Sequence, residues 1–196
     1  MNEFNAKFSF KCVKCARCCE AGFEISIGKK DILEWQAFNK ESFLKHIYID
    51  PKSLSSEGLG GYHIEKKNAL LLLRKKYEGV SYEEYKESLK DFILNNHVFI
   101  GNSIIPLPIY TFIEELGRMP LLIPKSFDVM LEGIQQDINY LLLYERSGKC
   151  PFIKNKLCTI HAIKPKDCKI FPHDERGNIR IDNYFLKICS GIKKMR

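Results

Sequence analysis

The residues of this sequence best suited to chemistry are its cysteines, which number eight among 196 residues. They form two groups of four, separated by a long stretch that contains no cysteine. The first group is Cys12, Cys15, Cys18 and Cys19, and the second is Cys150, Cys158, Cys168 and Cys189. A centre that both groups share would require the chain to close on itself and bring distant segments together.

Whether clustered cysteines form disulfides or bind metal depends on the cellular compartment of the protein. The N-terminal segment MNEFNAKFSFKC lacks the apolar run of a signal peptide. The longest uninterrupted apolar block, residues 69–73, is far too short to span a membrane. We therefore expect a cytoplasmic protein, in which thiols stay reduced and clustered cysteines usually bind metal. A chain of this length also needs no disulfides to fold.

The spacing Cys12-x2-Cys15-x2-Cys18 is the most informative cysteine pattern. Two intervening residues let the backbone fold around a metal centre with its N–H groups pointing at the sulfurs. Three such cysteines match the ligand run of bacterial ferredoxins, whose fourth ligand is remote and followed by proline. Cys150 precedes Pro151 in this way. The sequence therefore predicts an iron–sulfur cluster of the [4Fe-4S] type, held by Cys12, Cys15, Cys18 and Cys150.

Cys19 leaves the grouping of the remaining cysteines open. Neighbouring residues rarely point at one small centre, so we expect Cys18 and Cys19 to face different partners. Two four-thiolate zinc ions, two iron–sulfur clusters, or one cluster with thiols in another role would each use the full set. We prefer iron–sulfur because zinc sites are more often built from two separated C-x2-C pairs. A catalytic thiol is a minor alternative.

Two motifs resemble a known family. The pattern Phe10-x-Cys12-x2-Cys15-x2-Cys18-Cys19 and the segment CPFIKNKLCTIHAIKPKDCKIFP, residues 150–172, are similar to those of the CxxCxxCC (YkgJ-type) cysteine cluster family, described as a zinc- or iron-chelating domain. The family usually has Tyr where this chain has His161 and Arg where it has Lys164. Lysine keeps the charge but lacks the planar fork of arginine. Cys189, followed closely by Gly191, resembles the last cysteine of the family.

The resemblance implies a set of metal ligands and leaves the reaction open. Flagellin lysine N-methylase has a similar cysteine motif, which implies protein lysine methylation with S-adenosylmethionine. The sequence offers no clear methyl-donor site, because an ordinary turn explains Gly58-Leu59-Gly60-Gly61 better than a cofactor loop does. Three hypotheses follow: a non-catalytic iron–sulfur protein, an S-adenosylmethionine-dependent methyltransferase, and a structural zinc protein.

The distribution of charge indicates which macromolecules the protein could bind, and the positions of two histidines indicate possible further metal ligands. The net charge of +7 comes from scattered lysines interleaved with glutamate, which favours a solvated surface over a nucleic-acid groove. We expect no membrane partner, and a protein partner or protein substrate is compatible with the sequence. His161 and His173 lie within the second cysteine segment, where each could ligate metal or hydrogen-bond a sulfur. A surface or packing role is the simpler interpretation.

Hydrophobic periodicity predicts a mainly α fold, with α+β as the alternative. Residues 29–46 and 126–146 show apolar positions at helical spacing, and Ser81 opens a capping box that predicts a helix to about Asn95. We expect a single metal-chelating domain over residues 1–196. It would comprise an N-terminal cysteine motif (8–28), a helical insert (29–147) and a C-terminal cysteine motif (148–192), with an irregular cysteine-rich core joining the two ends.

Overall fold

The computed structural model describes residues 8–20, 23–50, 79–100, 121–145, 147–174, 176–180 and 183–195. These residues divide into two compact units. The first, called the cysteine unit below, comprises the described residues up to Ser26 and from Leu143 onward. The second, called the insert unit, comprises residues 27–50, 79–100 and 121–142.

The described elements are short and alternate between helix and strand. The α-helices are α1 (Arg17–Glu20), α2 (Lys29–Ala37), α3 (Tyr82–Asn96), α4 (Phe127–Gln135), α5 (Lys166–Ile170) and α6 (Asn183–Ile188), and 3-10 helices cover Glu41–His46 and His161–Ile163. The strands are β1 (Phe8–Phe10), β2 (Ile47–Ile49), β3 (His97–Ile100), β4 (Leu121–Pro124), β5 (Tyr140–Leu142), β6 (Ile153–Lys154), β7 (Leu157–Cys158) and β8 (Ile192–Lys194). They pair as four antiparallel two-stranded sheets, β1–β8, β2–β5, β3–β4 and β6–β7.

The prediction of a mainly α fold is wrong. Among the described residues, 42% are helical and 20% are in strands, so the fold is mixed. The strands are only two to four residues long. Such short strands leave too few residues for the alternating pattern by which a strand is recognised in a sequence. The apolar residues of β5, for example, lie within the segment 126–146, for which the sequence predicts a helix.

The segment 126–146 illustrates this error. Helix α4 begins as expected, because the Ser126 hydroxyl accepts the backbone N–H of Val129 at 3.1 Å. It ends at Gln135, and Asp137 then takes a left-handed conformation with φ of 60°. The next residues form β5, which pairs with β2 so that Tyr140 lies opposite Ile49. All three β5 residues are buried, so a continuous apolar run became a strand.

The segment 29–46 is likewise divided. Helix α2 ends at Ala37, and Asn39 adopts a φ of 51° that turns the chain. The 3-10 helix that follows places Phe43 against Trp35, with the two rings edge to face at 5.2 Å. Trp35 is fully buried, and aromatic burial of this size is a major source of stability. The turn at Asn39 therefore lets the 3-10 helix pack back on α2 and bury Trp35.

The prediction for helix α3 is confirmed. It runs from Tyr82 to Asn96, with Ser81 as its N-cap residue. The Ser81 hydroxyl accepts the Glu84 N–H at 3.2 Å, while the Glu84 carboxylate accepts the Ser81 N–H at 2.8 Å. This reciprocal pair is a capping box, and it lowers the pKa of Glu84. The helix buries Tyr85, Leu89 and Ile93 in the insert core.

A buried histidine joins three elements of the insert unit. The His97 ring is only 5% exposed. Its Nδ1 lies 3.1 Å from the Ile93 carbonyl, which can only accept, so Nδ1 carries the proton. Its Nε2 therefore accepts from the Tyr140 hydroxyl, also at 3.1 Å. Burial lowers the pKa of His97 to about 4, so the ring is neutral at physiological pH.

Two further expectations concern the membrane and the middle of the chain. None of the helices in the described ranges has the length and apolar character needed to cross a bilayer. The glycine-rich segment Gly58-Leu59-Gly60-Gly61, weighed above as a methyl-donor loop, lies outside the described residues.

Candidate metal centre

All eight predicted cysteine ligands lie in the cysteine unit. Strand pairing brings the two ends of this unit together, with Phe10 of β1 opposite Ile192 of β8. The ladder continues through the Lys11 N–H, which donates to the Gly191 carbonyl at 3.0 Å. A side chain at position 191 would overlap the Lys11 carbonyl, so this close approach requires glycine. The first and last cysteines of the chain, Cys12 and Cys189, therefore follow and precede the same ladder.

The loop between Cys12 and Cys18 turns through two left-handed residues. Lys14 has a φ of 55° and Ala16 a φ of 57°. Alternation of left- and right-handed residues exposes backbone N–H groups on one side of a loop, an arrangement found at many iron–sulfur and phosphate sites. The carbonyl of buried Ala16 then accepts the N–H of Cys19 at 2.9 Å and starts helix α1.

Cys18, Cys19 and Cys150 form the central group of thiols. The sulfurs of Cys18 and Cys19 are 3.9 Å apart. This differs from our expectation that the two would face different partners. The Cys150 N–H donates to the Cys19 carbonyl at 3.1 Å, which ties the second motif to helix α1. The Cys150 side chain also acts on the Cys19 thiol, whose pKa it raises. Cys150 therefore lies near Cys19, and its predicted grouping with Cys12, Cys15 and Cys18 stays a prediction.

Cys158 stands at the end of the β6–β7 hairpin. The hairpin turns through Asn155 and Lys156, with φ values of 52° and 60°, the left-handed pair that a tight two-residue loop requires. The Thr159 N–H donates to the Phe152 carbonyl at 2.9 Å and fixes the strand that leads out of it. Burial raises the pKa of Cys158, and the Ile160 N–H opposes this rise.

Cys168 and Cys189 are placed by short helices. Cys168 lies on α5, whose Asp167 carboxylate accepts the Ser26 N–H at 2.9 Å. Cys189 follows α6 and is buried. The Ile192 N–H donates to the Cys189 carbonyl at 3.1 Å. Near both Cys158 and Cys189, backbone N–H groups oppose the rise that burial causes in the pKa of the thiol.

Cys15 and Cys12 lie at the more accessible side of the group. Cys15 is half-buried, and its sulfur accepts a hydrogen bond from the Ser190 hydroxyl at 3.2 Å. Cys12 is exposed. A thiolate at Cys12 would raise the pKa of Cys158, just as a thiolate at Cys15 would raise that of Cys189. Both cysteines of the N-terminal loop therefore lie within electrostatic range of the second motif.

Five of the eight thiols have raised pKa values and are held in their protonated form, those of Cys18, Cys19, Cys158, Cys168 and Cys189. A hydrogen bond to Cys19, together with burial, raises the pKa of Cys18 far above its ordinary value. Contact with Cys150 raises the pKa of Cys19 to about 12. Burial, and then Cys19 and Cys18, raise that of Cys168. Burial likewise raises the pKa values of Cys158 and Cys189. A metal ion that binds these sulfurs must displace their protons.

Two residues that the motif analysis did not single out as part of the site lie beside the thiols. Tyr144 is buried, and its pKa is raised by burial and then by Cys150, Cys168, Cys19 and Cys18. Its hydroxyl donates to the Phe23 carbonyl at 2.5 Å. Ser190 is the second residue, through its bond to Cys15. Tyr144 follows an apolar run and Ser190 is a common surface residue, so neither stands out in the sequence.

Lys164 is a cation that acts on three of the thiols. Its charge opposes the rise in pKa at Cys18, Cys158 and Cys168. It occupies the position at which the resemblance places arginine. A positive charge at this position would partly balance several thiolates gathered around a metal, and an ammonium group does this without the fork geometry of arginine.

The histidines of the cysteine unit differ from each other. The His173 Nδ1 donates to the Ile170 carbonyl at 2.9 Å, and its ring packs edge to face on Phe10 at 5.5 Å. These contacts give it a packing role. The Nε2 atom of His161 is buried and lacks a hydrogen-bond partner, and no other side-chain nitrogen or oxygen in the described ranges is in that state. Burial, and then Lys164 and Lys14, lower the pKa of His161.

The donor set fits a metal centre in its chemistry. Eight thiols and one unpartnered imidazole nitrogen suit zinc, iron–sulfur clusters and other thiophilic metals. The described side chains are not arranged around a common metal position. Among the described His, Cys, Asp and Glu residues, no three converge on a point where a metal ion could sit. Binding would therefore require the thiol side chains to rotate.

Comparisons with known proteins do not classify the chain further. No protein family, no characterised protein and no solved structure matches it. The class that the fold and the site define is therefore a mixed α and β protein with a cysteine-rich unit. The similarity to the CxxCxxCC family rests on the two cysteine motifs alone.

Proposed function

We propose that the cysteine unit binds a thiolate-ligated metal centre, with an iron–sulfur cluster as the first expectation and zinc as the alternative. The observation that carries the proposal is the convergence of all eight cysteines, from segments more than a hundred residues apart, in one compact unit. Eight independent structural cysteines would have no reason to gather in one half of the protein, because each could fill an apolar site anywhere in the core.

The backbone around the sulfurs supports the same proposal. Backbone N–H groups near Cys158 and Cys189 favour their thiolates, and Lys164 adds a positive charge near Cys158 and Cys168. Hydrogen bonds and charge of this kind stabilise bound thiolates and tune iron–sulfur clusters. A resident cluster would supply one-electron transfer, whereas zinc would contribute only structure at such a site.

Within this proposal, membership of the CxxCxxCC family remains a hypothesis. A partner protein that exchanges electrons or metal with the centre would fit the exposed position of Cys12. The methyltransferase alternative gains no support from the described residues, since none of their contacts suggests a methyl-donor site.

Metal analysis of the full-length protein, purified without oxygen, tests the proposal. We expect iron and acid-labile sulfide in matching amounts, with broad visible absorbance that is lost on reduction. Zinc without sulfide would instead establish the structural alternative and overturn the cluster. Protein that retains neither metal, and acquires none when iron, sulfide or zinc is supplied, would overturn the proposal as a whole.

A pair of variants shows whether the bound metal uses the cysteine unit. Cys19→Ser alters the thiol that contacts both Cys18 and Cys150, and it should lower the metal content to half or less. Ser88→Ala, an exposed substitution on α3 in the insert unit, is the control and should leave the metal content unchanged. Equal metal content in the two variants would place the metal elsewhere.

A further inference from the structure

The unpartnered nitrogen of His161 points to a ligand that is not a cysteine. An unsatisfied buried polar group destabilises a fold by about 1–3 kcal/mol. Such an atom therefore calls for a specific explanation. Among the described side chains, the Nε2 of His161 is the buried polar atom that lacks a hydrogen-bond partner. A neutral imidazole nitrogen with no other partner is a common metal ligand.

The position of His161 relative to Cys158 gives the nitrogen a natural partner. The two residues are three apart, the spacing of a C-x2-C ligand pair. The Ile160 N–H, which lies between the two residues, acts on the Cys158 sulfur and favours its thiolate. The Ile163 N–H donates to the Ile160 carbonyl at 3.0 Å, which closes the turn that carries His161.

We propose that Cys158 and His161 form a Cys-x2-His ligand pair, so that the metal centre is bound by nitrogen as well as sulfur. This inference rests on the proposed function, because it needs a metal in the cysteine unit. It goes beyond the all-cysteine set that the motifs predict. The other histidine of the second cysteine segment, His173, lacks this signal, since neither of its ring nitrogens is both buried and without a hydrogen-bond partner.

Cadmium NMR tests the ligand pair directly. Cadmium is a thiophilic substitute for zinc, and a through-bond correlation between the cadmium nucleus and imidazole ring protons identifies a histidine ligand. The full-length protein is stripped of metal under reducing conditions without oxygen and then loaded with cadmium. We expect a correlation between bound cadmium and the His161 ring in the wild-type protein.

Three variants complete the test. His161→Phe should abolish the correlation, and His161→Cys should retain cadmium while moving its signal toward the all-thiolate range. His173→Phe, a matched control in the same unit, should keep the correlation. Bound cadmium without an imidazole correlation in the wild-type protein would overturn the ligand pair and leave the proposed function standing, as would a correlation that persists in both His161 variants. Wild-type protein that binds no cadmium would overturn the ligand pair, whereas the proposed function is overturned only if iron, sulfide and zinc also fail to bind.

Discussion

Ser190 shows how a single hydroxyl can act on the candidate metal centre. It lies directly after Cys189, yet it donates to the sulfur of Cys15, which is 175 positions away in the sequence. Hydrogen bonds to a ligating sulfur stabilise its thiolate form and orient it toward the metal. The contact therefore links the ends of the two motifs through one side chain.

Replacement of this hydroxyl should weaken metal binding. We expect Ser190→Ala to lower zinc affinity by about tenfold, the lower end of the effect seen when a partner of a metal ligand is removed. Competition with a chromophoric chelator measures the change. Ser190→Thr, which keeps a hydroxyl, should bind zinc nearly as the wild type does. Equal affinity in all three proteins would show that the bond to Cys15 has no role in binding.

His97 should make the stability of the insert unit depend on pH. Its pKa is lowered from 6.5 to about 4 in the folded protein, chiefly by burial and also by the charge of Lys125. Between these values the unfolded chain binds a proton that the folded chain does not, so stability falls as the pH falls. The contribution is fully present above pH 6.5 and is lost by about pH 4. The loss amounts to about 3 kcal/mol.

Urea denaturation at a series of pH values measures this effect. The variant His97→Gln removes the titrating group, so its stability should decline less steeply over the same interval. An identical slope in the wild type and the variant would assign the pH dependence to other groups. Fluorescence of Trp35, which is fully buried in the insert unit, reports the unfolding of that unit.

At the scale of elements, helix α4 and strand β5 are fitted together at one glycine. Gly133 is buried on α4, and a Cβ atom there would overlap the hydroxyl of Tyr140. Tyr140 cannot easily move aside, because it is 1% exposed and its hydroxyl is bonded to His97. The absence of a side chain at Gly133 therefore sets how closely the helix approaches the strand.

The variant Gly133→Ala should destabilise the protein, although alanine normally favours a helix. The intrinsic gain is about 1 kcal/mol, whereas overpacking of a dense core opposes folding by about 1–3 kcal/mol. We expect a net loss of about 1 kcal/mol in the free energy of unfolding, measured by urea denaturation. Tyr140→Phe should partly relieve the overlap in a double-mutant cycle. A stabilised Gly133→Ala protein would contradict this packing.

At the scale of the whole molecule, the two units differ in what stabilises them. The insert unit has an apolar core that includes Trp35, Met130 and Tyr140, and it contains no cysteine among its described residues. The cysteine unit consists of short elements, with strands of two or three residues. Isolated strand pairs of this kind are marginally stable in water. A metal centre would therefore contribute most to the cysteine unit.

Removal of the metal should affect the two units differently. We expect amide hydrogen exchange in the cysteine unit to become about a hundredfold faster or more, because structural metals contribute several kcal/mol to folding. Exchange in the insert unit should change little. Mass spectrometry of the metal-loaded and chelator-treated proteins measures both units in one experiment. A uniform change across the two units would contradict a local role for the metal.

Part of this picture follows from the sequence alone. The cysteine spacing identified the candidate ligands, because ligand type and short-range reach are local properties of the chain. The N-cap at Ser81 was also predicted, since its hydroxyl meets the N–H group of Glu84 only three residues away. These features depend on residues that are close together in the sequence, so they can be predicted without the tertiary structure.

Tertiary structure decided the rest. The run at Tyr140–Leu142 became a strand because Ile47–Ile49 offered it an antiparallel partner about ninety positions away. The neighbourhood of Cys19 and Cys150, and the unpartnered nitrogen of His161, likewise depend on contacts between distant segments. Residue types predict which groups can bind or pair. Only the folded chain determines which of them meet, because burial and hydrogen bonding are satisfied by partners that the sequence does not place side by side.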